Sequence, residues 1–355
     1  MIRNVFVIIF LLIFSISDEV YATIYNASSW SQLKTYVEST ADDGDTVTLA
    51  AGTYSASSTI TIPNTKSITI EGAGVGSTEV DVGGTVPFVM RTSQGRITGI
   101  LFDMTGEIAI RVSGTGWRID HNEFNGQDSG TKADECISVS NSGVYYPTYG
   151  LGGLIDNNYF HDARVVIRGS GTSGSASANA YHSAPLALGT EDGVYIEDNT
   201  WLHEGEGYAG NVIDSNNSSS YIVRFNTFTK RGSGGGAIIH AHSAGDGASP
   251  RGSKKWEVYG NIIYQQTAYE TMYLRGGTGV VFKNDIYDTG GEIHIRVLDA
   301  RMFDSSGPIG LCNGNATSCA NYDSCENAYG YVCRDQFGTG GDITAFDGSL
   351  PFPTQ

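Results

Sequence analysis

Apolar and polar residues alternate along this chain in short pieces, and one phrase recurs among them. It reads Ile119-x-x-Asn122-x-Phe124, Ile155-x-x-Asn158-x-Phe160, Ile196-x-x-Asn199-x-Trp201, Val223-x-x-Asn226-x-Phe228 and Val258-x-x-Asn261-x-Ile263, with a variant Phe282-x-x-Asp285-x-Tyr287. Successive phrases lie 36, 41, 27, 35 and 24 residues apart. A second alternating segment precedes each phrase: Ile110-Arg111-Val112, Ile137-Ser138-Val139, Val165-Val166-Ile167, Val212-Ile213-Asp214, Ile238-Ile239-His240 and Met272-Tyr273-Leu274, with Ile293-His294-Ile295 closing the series. Period-two alternation bounded by Gly, Ser and Asn predicts strands. Strands repeated at this spacing with no helices between them predict an all-β solenoid whose coils stack on one another. The shortest interval is a bare coil, and the longer ones are coils with loop insertions.

Asn at a fixed turn has a physical reason. It tolerates a left-handed backbone, and its amide can bond the amides of the coils above and below. The aromatic residue two positions later is expected to point inward and stack. Asn122, Asn158, Asn199, Asn226 and Asn261 are therefore expected to be structural. Ahead of the first coil, Trp30, Leu33 and Val37 stand at helical spacing after a Ser-rich start. They predict a short helix capping the open end, followed by a strand from Thr46 to Leu49.

Composition narrows the function. The chain has 47 Gly in 355 residues, only 17% charged residues, and 38 Asp plus Glu against 21 Lys plus Arg, a net charge of −17. Clustered cations, which nucleic acid demands, are missing, so that partner is excluded. Arg3 precedes a ten-residue apolar run, Val5 to Phe14, and Val20-Tyr21-Ala22 supplies small residues for cleavage. Residues 1–22 thus read as a signal peptide, because ten apolar residues are too few for a bilayer that needs about 20. The expected location is secreted or at the cell surface, with no stable membrane insertion after cleavage and a monomeric state. Cys312, Cys319, Cys325 and Cys333 are spaced too widely for a zinc site. They are expected to form two disulfides in a tail, 301–355, with all three pairings open. Cys136 is expected to be a structural thiol, and the solenoid itself to span 23–300.

Asp43-Gly44-Asp45-Thr46-Val47, Gly52-Thr53-Tyr54 and Ile68-Thr69-Ile70-Glu71-Gly72-Ala73-Gly74 are similar to the opening of many solenoid proteins. With the repeat over residues 30 to 300, the chain resembles the right-handed parallel β-helix, or pectate-lyase-like, superfamily. Trp117-Arg118-Ile119-Asp120-His121-Asn122 resembles a W-I-D-H phrase of pectate lyases. The run Gly210-Asn211-Val212-Ile213-Asp214-Ser215, continued by Arg224-Phe225-Asn226-Thr227-Phe228 and a later strand with His242, is similar to the alginate lyase and chondroitinase B family. In that family a catalytic Lys follows the first strand and a catalytic Arg lies in the later one. Asn216-Asn217 and Ala241 occupy those places here.

Parity tells which side chains leave the core. In the Asn-phrase segment the outward positions Glu197, Arg224, Glu257 and Lys283 alternate in sign and read as a charge ladder holding register. The preceding segment differs: its outward or strand-end positions are Arg111, Ser138, Arg168, Asp214, His240, Arg275 and Arg296, mostly cationic in an acidic protein. Long insertions follow it, at 141–152 with Tyr145, Tyr146 and Tyr149, at 169–192 with Tyr181 and His182, and at 242–255 with Arg251 and Lys254. They are expected to wall a groove over this segment. Tyr145, Tyr149, His182, Arg251 and Lys254 would then contact an extended, anionic polysaccharide through ring stacking and charge pairing. His240 and His242, two apart, would face one side as proton-transfer groups. Asp214 would orient them, and Arg168 and Arg275 would neutralise a substrate anion. Glu204 and Glu206, with Asp134 and Glu135, are the candidate Ca²⁺ ligands, Ca²⁺ being the one cofactor expected. These residues suit a polysaccharide lyase acting on a uronate-containing chain. A non-catalytic glycan-binding or matrix protein would use the same groove, and a glycoside hydrolase would need two facing carboxyl groups.

Overall fold

The computed structural model describes residues 22–91, 94–105, 108–126, 134–140, 151–169, 188–190, 193–204, 211–216, 219–232, 236–242, 253–266, 270–288, 290, 293 and 295–297. The expected signal peptide and the four tail cysteines lie outside the described residues. The chain winds through three parallel sheets, visiting each once per coil. The first sheet runs through ten strands from Ile24–Ala27 to Thr278–Phe282, the second through nine from Gly52–Ser55 to Asp285–Asp288, and the third through nine from Ile60–Ile62 to Ile295–Val297. This is a parallel β-helix, as the repeat predicts, with one short α-helix among the described residues.

Alternation along each strand fills the interior in columns. In the first sheet Ile97, Ile119, Ile155, Ile196, Val223 and Val258 lie in register on successive coils, all fully buried. In the second, Phe102, Phe124 and Phe160 stack with ring centroids 5.0 Å apart, and Trp201 continues the column at 3.8 Å from Phe160 and 5.6 Å from Phe228. Inward stacking of the aromatic two positions after each Asn is thus observed. The close strand spacing of about 4.8 Å is what brings like rings into contact.

The Asn ladder is also present, with two corrections. From Asn158 onward each amide oxygen accepts from both the backbone N–H and the side-chain amide of the preceding rung, while Asn122 Oδ1 accepts from Ile100 N. Asn199 Oδ1, for example, is 3.0 Å from Asn158 N and 3.0 Å from Asn158 Nδ2. The last rung is Asn284, which accepts from Asn261, rather than Asp285. Reading the final phrase as Val281-x-x-Asn284-x-Ile286 restores its register with Val258. The left-handed residue is the one before the Asn: His121, Asn157, Asp198, Phe225, Gly260 and Lys283 have φ of 53, 54, 55, 59, 67 and 51°. The Asn itself serves through its amide, not through an unusual backbone.

The outward charge ladder of the first sheet is built from different partners. Arg96 binds Asp120 at 2.7 Å, Arg118 binds Asp156 at 2.6 Å, and Arg118 lies 3.7 Å from Asp120. Further along, Arg224 pairs with Glu197. Glu257 is off this column, in register with Ile222 and Val280, and Lys283 has moved into the left-handed turn. Counting outward positions by parity alone does not distinguish two outward columns one pleat apart.

The helix Trp30–Thr35 starts at Ser29, whose hydroxyl accepts from Gln32 N, and continues as one π-helical stretch, Tyr36–Thr40. Trp30, Leu33 and Val37 turn their side chains into the core. Its polar side reaches the first strand of the third sheet and its approach, where Glu38 Oε1 accepts from Thr61 N at 2.9 Å and Lys34 Nζ donates to Thr59 O. Among the described residues no helix is long and apolar enough to cross a membrane.

Candidate active site

The third sheet carries two outward columns. One runs Arg111, Ser138, Val166, Asp214, His240, Tyr273, Arg296. The other, one pleat further along, contains Ser140, Arg168 and Asn216. Backbone bonds from His242 N to Ser215 O and from Arg275 N to Ala241 O extend it to His242 and Arg275. Inward Ile213, Ser215, Ile239, Ala241, Met272 and Leu274 fix this parity by their burial. The seven outward residues expected from the sequence therefore divide between two adjacent columns on one face, and three of them, Asp214, His240 and Arg275, meet in one cluster with Arg168 beside it.

At its centre is Asp214. Its Oδ1 is 2.8 Å from His242 Nε2 and 3.4 Å from His240 Nδ1. The two imidazoles are in contact, with centroids 3.8 Å apart and planes tilted by 37°. Arg275 clamps both from the other side: its Nε donates to His240 Nε2 at 3.0 Å, and its Nη2 is 2.8 Å from His242 Nδ1. A guanidinium only donates. The ring nitrogens facing it must therefore carry lone pairs, and the His242 proton sits on Nε2, toward Asp214. Although they leave the core, Asp214 and His240 are only 8% and 5% exposed. Burial would push the Asp214 carboxyl up, but His242, His240 and Arg164 outweigh it and hold the group below its ordinary range.

Arg168 lies beside this cluster and is committed to Glu135, with Nη1 2.5 Å and Nη2 2.8 Å from the two carboxylate oxygens, and Ser138 Oγ accepts at 3.0 Å. Burial lowers its pKa, yet Glu135 and the field of Asp214 leave it raised. It is a fixed positive charge at the margin. Behind the sheet, buried Ser215 bonds Tyr221 at 2.9 Å, Ser253 at 2.8 Å and the His240 carbonyl at 3.0 Å. This hydroxyl network ties the histidine strand to its neighbours.

Asp214, His240 and His242 offer ligand atoms within 4.8 Å of one another. Two imidazoles and a carboxylate suit a zinc- or iron-like ion rather than Ca²⁺. The Arg275 guanidinium at 3 Å or less argues for proton-transfer chemistry instead, because a fixed cation there repels a dication. Glu79, Asp81 and Asp103 form a second, oxygen-only group on the second sheet. Of the expected Ca²⁺ ligands, Glu204 Oε1 binds Arg231 at 3.0 Å, its Oε2 lies 3.7 Å from His161 Nε2, Glu135 holds Arg168, and Glu206 lies outside the described residues. Tyr145, Tyr149, His182 and Arg251 also lie outside them. Lys254 stands at the start of a first-sheet strand, its N–H bonded to Ser219 O. The three long insertions each connect a third-sheet strand to a first-sheet strand.

No protein-family model and no curated protein sequence matches the chain. Solved structures do. An alginate lyase from Paenibacillus sp. is 16% identical, over 78% of this chain and 99% of that one, with a TM-score of 0.45. A PL6 family polysaccharide lyase from Pseudopedobacter saltans is 14% identical, over 70% and 64%, with a TM-score of 0.38. A mannuronic acid specific family 6 lyase from human gut microbiota is 15% identical, over 78% and 83%, with a TM-score of 0.40. The chemistry of this chain is read from its own side chains.

Two residues of the cluster, Asn211 and Tyr273, carry no role in the sequence reading, and a third, Glu135, is expected there as a Ca²⁺ ligand and not as the partner of Arg168. Asn211 Nδ2 lies 2.5 Å from His240 Nδ1 while its Oδ1 accepts from Ala237 N at 2.9 Å. Glu135 anchors Arg168. Tyr273 stacks on His240 with centroids 5.0 Å apart and planes 8° from parallel. Tyr273 was legible, being the outward residue of Met272-Tyr273-Leu274, one rung beyond His240. Asn211 and Glu135 lie off the alternating pattern, and nothing local marks them.

Proposed function

We propose that the protein is a polysaccharide lyase that cleaves a uronate-containing chain by β-elimination. The observation that carries this is the Asp214–His240–His242–Arg275 cluster on one outward face of the third sheet. Elimination must remove the proton α to a carboxylate, which calls for a base and for fixed cations to stabilise the enolate that develops. Arg275 meets the carboxylate. As the guanidinium is drawn toward that anion, the His240 Nε2 lone pair it covers becomes the base. Asp214 holds the proton of His242 on Nε2 and offsets the charge that His240 gains. Arg168, fixed by Glu135, adds a second positive charge at the edge. A hydrolase would instead need an acid and a base carboxyl across the sugar, and the Glu135 carboxylate is tied to Arg168.

Export belongs to the same reading, supported by the apolar run at 5–14 and the four cysteines between 312 and 333. The helix at Trp30 is proposed to close the first coil, supported by its bonds to Thr59 and Thr61. Glu204 already pairs with Arg231 at 3.0 Å, so this reading routes no step through calcium; a rate lost on dialysis against a chelator and restored by Ca²⁺ would return it to the mechanism.

The test is incubation of the purified chain with polymannuronate, polyglucuronate, polyguluronate and polygalacturonate, following the ultraviolet absorbance of the new C=C bond. His240→Ala should abolish product while leaving far-ultraviolet circular dichroism intact. Absence of product on every polymer, with retained glycan binding, would instead make the chain a glycan-binding protein.

A further inference from the structure

β-Elimination needs a proton donor for the departing oxygen as well as a base, and the cluster around Asp214 leaves that role unfilled. We infer that Tyr273 supplies it, resting on the lyase reading above. Tyr273 follows His240 directly in the outward column of the third sheet, one rung along the axis. Its ring lies flat on the His240 imidazole, and the guanidinium carbons of Arg275 and Arg296 stand 4.7 and 5.0 Å from its centroid. The ring is thus pinned between an imidazole and a guanidinium, on a half-buried residue. Its hydroxyl has no hydrogen-bond partner among the described residues, so the stack orients the phenol without consuming its proton.

The step balances as follows. The C5 proton passes to His240 Nε2, and the C5–H electron pair becomes the C4=C5 double bond. The C4–O bond breaks with its pair on oxygen, and that oxygen takes the Tyr273 Oη proton. The phenolate then recovers a proton from the His240 imidazolium through water. Nothing beyond the substrate and water is required.

Placement also selects the substrate. Rungs of one column are about 4.8 Å apart, and both groups reach a sugar ring from the same side. They can act together only where the C5 hydrogen and the C4 oxygen share a face of the ring. Mannuronate and glucuronate meet that condition, whereas guluronate and galacturonate do not. Tyr273 is thereby assigned as the catalytic acid of a same-face elimination.

The experiment compares wild type and Tyr273→Phe, which keeps the stack on His240, on the four polyuronates and on a uronate whose C4 oxygen carries a nitrophenyl group. The expected result is cleavage of polymannuronate or polyglucuronate by wild type. The variant should unfold at the wild-type temperature and lose about 10²- to 10⁴-fold in kcat on the polymer, with KM within a few-fold. On the nitrophenyl substrate, whose leaving group needs no proton, it should regain a rate close to wild type. An undiminished polymer rate in Tyr273→Phe overturns the assignment and leaves the lyase reading standing, as does equal loss on both substrates. Wild-type cleavage confined to polygalacturonate or polyguluronate overturns the same-face geometry. No unsaturated product from wild type on any polymer overturns both.

Discussion

Replacing Asn199 with Ala tests how much of the solenoid's stability resides in its Asn ladder. The side chain is 1% exposed and makes five hydrogen bonds. Its oxygen accepts from Asn158 N and Asn158 Nδ2, both at 3.0 Å, and its amide donates to Ile155 O at 2.8 Å, Glu197 O at 2.9 Å and Asn226 Oδ1 at 3.0 Å. An intramolecular hydrogen bond is worth about 1 kcal/mol net, so five set a scale of about 5. Not all of that is lost: Asn226 Oδ1 keeps Asn199 N at 3.1 Å. Two buried backbone groups, Asn158 N and Ile155 O, lose this partner, and an unsatisfied buried group costs about 1–3 kcal/mol. The expected loss is about 3–5 kcal/mol. Guanidinium unfolding read by Trp201 fluorescence and by circular dichroism should show a lower midpoint with an unchanged slope. Asp198→Gly, one residue earlier in the same turn at φ 55°, is the control. Glycine takes that backbone without strain, and the change should lie within about 1 kcal/mol of zero. A loss below about 1 kcal/mol for Asn199→Ala would show that the ladder records the coil geometry without stabilising it.

Asp214→Asn should lower kcat about 100-fold or more by releasing the tautomer of His242, read in the polyuronate assay. The wild-type carboxyl, depressed in the folded state, stabilises the fold above its unfolded pKa of about 3.9, and that contribution is lost as pH falls through the lower folded value. The stability difference between the two proteins should therefore be constant near neutral pH and shrink on the acid limb. Lys230, buried and with its pKa pushed down to about 8 by desolvation, acts in the opposite range. Between about 8 and the unfolded value near 10.4 the unfolded chain binds the extra proton, so stability should rise across that window; in Lys230→Met the rise should disappear. Gly153→Ala would place a Cβ 2.2 Å from the Trp117 ring and 2.5 Å from its carbonyl oxygen. Overpacking of this kind costs about 1–3 kcal/mol, measurable as a reduced unfolding midpoint.

Period and parity in the sequence determined the coil, the inward aromatic stack, the ladder Asn residues and the outward face that bears His240, His242 and Asp214. These are properties of a strand that repeats: each residue's environment follows from its own position modulo two and from the coil before it. Register between coils was decided only in three dimensions. A one-residue offset moved the last ladder rung from Asp285 to Asn284, and a one-pleat offset separated Glu257 from Arg224 and placed Arg168 and Arg275 in the column beside Asp214. The partners chosen by Arg168 and Arg275 were likewise invisible locally, since Glu135 is 33 residues from the first and His240 is 35 from the second. Charge pairs of that separation exist because stacking sets the coils a few ångströms apart, a distance that chain order does not encode.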